Sequence, residues 1–111
     1  MKKLILGVDI TGLRFTDENI KNKTPVELMT DTIENVILSY AMQLQGLTEK
    51  DRRIYYKVHD IFTDAIKQNL TEVQLDDEYI GFIRKCFRET KLMPTLLLER
   101  VEKRIEEIQD R

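Results

Sequence analysis

The segment Thr24-Pro25-Val26-Glu27 constrains this chain more than any other, because Thr24, Pro25 and Glu27 each favour the start of a helix. Thr24 can accept hydrogen bonds from orphan backbone donors, Pro25 suits the first helical position, and Glu27 can complete a capping box. Val26, Met29, Ile33, Val36, Ile37, Tyr40 and Leu44 follow at steps of three and four, and Gly46 supplies a stop. The pattern predicts a helix over 25–45.

The same device recurs downstream. Thr48, with Asp51 three residues later, opens a second helix whose apolar stripe is Ile54, Val58, Ile61, Phe62 and Ala65, fading near Asn69. Asp76, Asp77 and Glu78 place negative charge where a third helix begins, which its dipole favours; that helix carries Ile80, Ile83 and Phe87. Pro94 is read as opening a fourth, with Leu97, Val101, Ile105 and Ile108 at helical spacing.

Ahead of the helices the period changes to two. Leu4, Leu6, Val8 and Ile10 alternate with Ile5, Gly7 and Asp9, which reads as a strand. Thr11-Gly12 reads as a two-residue turn, since glycine accepts positive φ, and Leu13 and Phe15 then return opposite Ile10 and Val8 as a β-hairpin. Asp17 to Lys23 is polar and reads as a loop. Residues 71–75 alternate around Val73 and Leu75 and form a candidate third strand against the hairpin edge. The expected fold is α+β, mainly helical: an N-terminal β-hairpin packed with about four α-helices, as a single domain over 1–111.

Composition agrees. With 111 residues, 41% hydrophobic and 34% charged, the chain has the size and apolar content to bury a core without a metal or disulfide staple. The apolar run Leu4 to Val8 is stopped by Asp9, too short for a signal-peptide core, and no later stretch reaches membrane-spanning length. The lone Cys86 cannot form an internal disulfide. These features predict a cytoplasmic protein that does not enter a membrane.

Catalytic patterns are sparse. His59, the single histidine, lies beside Val58 and Asp60 off the main apolar stripe and reads as a surface residue. Cys86 could become reactive if Arg84 or Lys85 lowered its pKa, but a buried free cysteine is the commoner outcome. Asp76, Asp77 and Glu78, with Glu72 nearby, form the densest carboxylate group, which helix capping explains without a cation. No CxxC, HExxH, EF-hand, Walker or GxGxxG pattern occurs. No catalytic residue, metal site or cofactor is therefore expected, and an enzyme would need a site assembled from distant residues around His59 or Cys86.

Charge is segregated although the net value is only −2. Residues 24–80 carry five basic and eleven acidic groups, whereas 81–104 carry seven basic and three acidic. Arg84, Arg88 and Lys91 fall at i, i+4 and i+7, the spacing of one helix face, and Arg100, Lys103 and Arg104 follow. Such a stripe can contact phosphates, but a solvated helix face, or a surface that meets an acidic protein, also accounts for it. Glu89, Glu99 and Glu102 interrupt it, and no helix-turn-helix or zinc-finger pattern accompanies it.

Leu96, Leu97 and Leu98 are consecutive, so on a helix they spread over most of its circumference. Either the fourth helix is wedged between two layers, or one face meets another molecule. The layout, together with Asp77-Glu78-Tyr79-Ile80-Gly81-Phe82-Ile83-Arg84-Lys85 followed by Pro94 and a closing helix, resembles a loose group of short bacteriophage and prophage proteins. The resemblance covers most of the chain and rests on pattern, with no specific motif. It implies a phage-encoded accessory protein acting in the bacterial cytoplasm, such as a virion or tail assembly helper or a modulator of a host protein. It transfers no functional residue.

The expected function is a non-enzymatic protein–protein interaction module, with a protein partner or a second copy of itself. The candidate partner-binding residues are Leu96, Leu98, Arg84, Arg88 and Lys91. The rival expectation is a nucleic-acid-binding regulator that uses Arg84, Arg88 and Lys91.

Overall fold

The chain runs β1 (Lys2–Ile5), α1 (Glu18–Lys21), α2 (Pro25–Gln43), α3 (Glu49–Lys67), β2 (Glu72–Leu75), α4 (Asp77–Glu89) and α5 (Leu96–Glu106). This computed structural model describes residues 1–14 and 18–108, without the side chains of Glu18 and Asn19. The α+β, mainly helical architecture read from the sequence is the architecture of the protein.

The helix starts follow the capping residues. Thr24 accepts a hydrogen bond from the Glu27 N–H at 3.2 Å, and Thr48 accepts one from the Asp51 N–H at 3.2 Å. Both long helices also end alike. The Gly46 N–H reaches back to the Ala41 carbonyl at 2.8 Å, and the Leu70 N–H to the Ala65 carbonyl at 2.9 Å. Gln45 and Asn69 take the left-handed conformation there, the arrangement of a Schellman cap. Two boundaries differ from expectation. One helical turn, α1, occupies 18–21 within the stretch read as a loop. Helix α5 begins at Leu96, after Pro94, because Thr95 is its cap and accepts from the Leu98 N–H at 3.0 Å.

The main correction concerns the sheet. Its two strands are antiparallel, but β1 pairs with β2, in the register Lys2↔Leu75, Lys3↔Gln74, Leu4↔Val73 and Ile5↔Glu72. The segment read as a candidate third strand is the actual partner of β1; of the expected return strand, Leu13 belongs to no strand and Phe15 lies outside the described residues. Backbone geometry explains the difference. Gly7 has φ +101°, outside the β region, so the strand ends before the alternating pattern does. The Thr11-Gly12 turn does form, with the Leu13 N–H donating to the Ile10 carbonyl at 3.1 Å. Gly12 has φ +80°, while Thr11 is not among the positive-φ residues, which makes it a type II turn. Two-residue hairpins need positive φ at the first central position, which a β-branched threonine resists.

One apolar cluster draws on every element except α1. Leu4, Leu6, Val73 and Leu75 come from the sheet and its continuation, Met29, Ile33 and Ile37 from α2, and Val58 and Phe62 from α3. Ile83 and Cys86 join from α4, and Val101 and Ile105 from α5. The sheet thus presents one face to the helices. Lys3, Ile5, Glu72 and Gln74 form the exposed face, where Lys3 and Glu72 pair at 3.5 Å.

Candidate functional site

Large apolar side chains stay exposed in several places, among them Met42 and Leu44 at the end of α2, Met93 before α5, and Leu96 at the start of α5, where a basic stripe continues from it. Val101 and Ile105 point into the core, and Ile108 just beyond the helix is also buried. Leu97 and Leu98 are half-buried and pack against the core, whereas Leu96 stays 45% exposed. The leucine triplet therefore divides. Two residues serve the fold and one faces outward, so of the pair Leu96 and Leu98 only Leu96 stands out as exposed.

Leu96, Arg100, Lys103 and Arg104 are spaced i, i+4, i+7 and i+8, which places them along one side of α5. Arg100, Lys103 and Arg104 line an open groove of about 320 Å³ with Val8, Asp9 and Glu107. The Arg100 Nη1 donates to the Asp9 carbonyl at 2.6 Å, tying the segment after β1 to α5. The Asp9 carboxylate accepts from the Thr11 N–H at 2.9 Å, and hydrogen bonding to Thr11, helped by the Arg100 charge, holds its pKa below the usual value. Arg104 lies 4.0 Å from Glu107.

The α4 cations predicted to share a face do not act together. Arg84 is half-buried, and its Nη2 donates to the carbonyls of Ile105 at 3.3 Å and Ile108 at 2.8 Å. It closes the C-terminal end of α5, where a cation also complements the helix dipole. Arg88 is exposed one turn further on. Lys91 is not on the helix at all, because α4 ends at Glu89 and Thr90 is extended. Its backbone instead exchanges hydrogen bonds with the Gln43 side chain, at 3.0 and 3.2 Å, fastening the α4–α5 connection to the end of α2.

No protein family, curated protein or solved structure matches this chain. Its chemistry has to be read from its own geometry.

Cys86 is fully buried, and burial pushes its thiol up to about 12, so at neutral pH it is a protonated core side chain without the thiolate a nucleophile needs. His59 is exposed, and its Nδ1 meets the Glu34 carboxylate of α2. That hydrogen bond raises the imidazole pKa, and the pair links α2 to α3 at the surface. Among the described residues, neither His59 nor Cys86 lines the hollows beside β1, β2, α3 and α5.

The acidic start of α4 differs in detail from the capping expected. Asp76 makes no capping hydrogen bond through its side chain. Asp77 instead lies 3.9 Å from Lys2, and Glu78 3.2 Å from Lys50, joining α4 to β1 and α3. Among the described residues, no three His, Cys, Asp or Glu side chains gather as a metal site would require, and no helix is long and apolar enough to cross a membrane.

The groove against α5 was only half visible in the sequence. Arg100, Lys103 and Arg104 show as a basic run, but their meeting with Val8 and Asp9 depends on where the chain goes after Gly7.

Proposed function

We propose that this chain is a non-enzymatic protein-interaction module that works through the outer side of α5. The observation that carries this reading is Leu96, an exposed leucine at the head of a stripe continuing through Arg100, Lys103 and Arg104. An apolar anchor bordered by cations suits a protein interface, where a few desolvated side chains carry the energy and a charged rim sets orientation. The protonated, buried Cys86 and the exposed His59 give no support to an assembled catalytic site.

On this reading the protein is a phage-associated accessory factor in the bacterial cytoplasm, an assembly helper or a modulator of a host protein, and its partner is another protein or a second copy of itself. The test is Leu96→Asp. It should leave the melting temperature unchanged, because the side chain is largely outside the core, and it should abolish association measured by light scattering and by affinity capture from the host. An unchanged mass together with an unchanged set of captured proteins overturns the proposal.

The nucleic-acid reading loses its stripe, since Arg84 is engaged by α5 carbonyls and Lys91 lies past the end of α4. A gel-shift series at low salt should show no retardation. Salt-sensitive retardation abolished by Arg88→Glu would establish that reading instead.

A further inference from the structure

Among the described residues, the two-stranded sheet leaves backbone hydrogen-bonding groups of β2 unmatched along its outer edge, and the ladder tells which ones. The Leu6 N–H donates to the Thr71 carbonyl at 2.8 Å, continuing the register beyond Ile5↔Glu72. Alternation in an antiparallel ladder then makes Leu4/Val73 and Lys2/Leu75 the hydrogen-bonded pairs, and Lys3/Gln74 and Ile5/Glu72 the others. Residues of the second kind turn their N–H and C=O groups away from the partner strand. Glu72 and Gln74 therefore aim theirs at the side of β2 opposite β1, where no described backbone group meets them.

Beside that edge lies a hollow of about 340 Å³, lined by Ile61 and Asp64 of α3 and by Leu70, Glu72, Val73 and Gln74. No β1 residue lines it, which places it on the far side of β2. Leu70 is 40% exposed at its rim. The outer edge of β1 is different: a second hollow, of about 430 Å³, is lined by Lys2, Lys3 and Ile5 together with Gln74 and with Glu107 and Ile108 from beyond α5, so lysines guard that edge and the end of the chain's last helix lies beside it.

From this arrangement we infer that the outer edge of β2 receives an extended segment of a partner protein, added as a third strand. Unmatched N–H and C=O groups supply the ladder, and the apolar hollow takes alternate side chains. The charged side chains lining the hollow, Asp64 and Glu72, are both acidic, so the strand it fits alternates apolar with basic residues. A second copy fits less well, because β2 (Glu72–Leu75) carries no basic residue to meet the acidic hollow, and a two-fold pairing centred on Val73 brings the two Glu72 carboxylates to diagonal positions. This surface is separate from the outer side of α5, and its test is independent of that reading.

The test titrates the isotope-labelled chain with the peptide Lys-Val-Lys-Ile-Lys-Val and reads amide hydrogen exchange. The Glu72 and Gln74 amides should exchange at least about tenfold more slowly at saturation, as amides newly drawn into a ladder do. Gln74→Pro removes an outward N–H that the β1–β2 ladder does not use, so it should retain the fold and lose the peptide. If that variant fails to fold, Leu70→Lys, which puts a like charge at the rim, should lose the peptide while keeping the melting temperature. Leu96→Asp should bind the peptide normally, so failure here is distinguishable from failure of the α5 reading. The inference is overturned by absent protection at millimolar peptide, or by protection at Lys3 and Ile5 instead. Equal binding of Glu-Val-Glu-Ile-Glu-Val, or peptide-free protection that grows with protein concentration, overturns it too.

Discussion

Helices α4 and α5 both begin with acidic residues in the first turn, end with basic ones, and carry apolar residues at steps of three and four. Their places in the fold differ. Helix α4 buries Ile80, Phe82, Ile83, Cys86 and Phe87, and even its Arg84 works inward, on the carbonyls that end α5. Helix α5 buries only Val101 and Ile105 within its span and leaves Leu96 and a cationic side outside. The number of neighbours does not separate them, since α4 packs against α2, α3 and α5 and α5 packs against α2, α4 and β1; what differs is depth, with five side chains buried along α4 and two along α5. Apolar content alone does not decide whether a helix is core or surface.

That contrast can be broken by substitution. The largest effect is expected for Ile83→Ala, which empties a fully buried site in α4 and should cost about 2–5 kcal/mol in chemical denaturation. A loss as small as a surface substitution gives would mean that α4 is not the central helix. Arg84→Ala should cost about 1–3 kcal/mol, because it leaves the Ile105 and Ile108 carbonyls without their charged donor. Hydrogen exchange should show that loss concentrated in the last turn of α5, and uniform loosening of the molecule would contradict it.

Thr95→Ala removes the α5 cap and should cost about 1 kcal/mol, with fraying confined to the first turn. The smallest effect belongs to Leu96→Asp, expected within about 0.5 kcal/mol of the parent chain. A larger destabilisation would make Leu96 a core residue and erase the distinction between the two helices. Cys86 sharpens the other side of it: with its thiol held up at about 12, it should stay unmodified by thiol reagents in the folded protein at neutral pH and react only on unfolding.

How much of this was legible depended on the range of the interaction. Thr24, Thr48 and the apolar stripes act over three or four residues, and they placed α2 and α3 to within two residues of their ends. The start of α5 was misplaced because Pro94 is compatible with a first turn, while the cap that decides the matter is Thr95. The strand at 72–75 was visible as alternation and was set against the hairpin edge, but its direct pairing with β1 was not visible. Alternation says which face is buried and nothing about which strand lies alongside. The same limit applied to the site. Spacing put Arg84 and Arg88 on one face, yet only the approach of the α5 terminus shows that Arg84 is already occupied. The exposure of Leu96 could be anticipated from the leucine triplet, though not which of the three would be left outside.

The pairing of β1 with β2 also sets an order of events. Bringing Lys2 opposite Leu75 closes a loop on the order of 70 residues, an entropic cost that short-range helix contacts do not carry. During synthesis β1 emerges ahead of α2, α3 and β2, so its partner strand is not there to pair with until they have followed it. In the interval, Leu4, Leu6 and Val8 are apolar side chains without a completed core to enter. The sheet is thus a late-closing clasp, and slow refolding or aggregation of this protein should trace to the time that first segment waits.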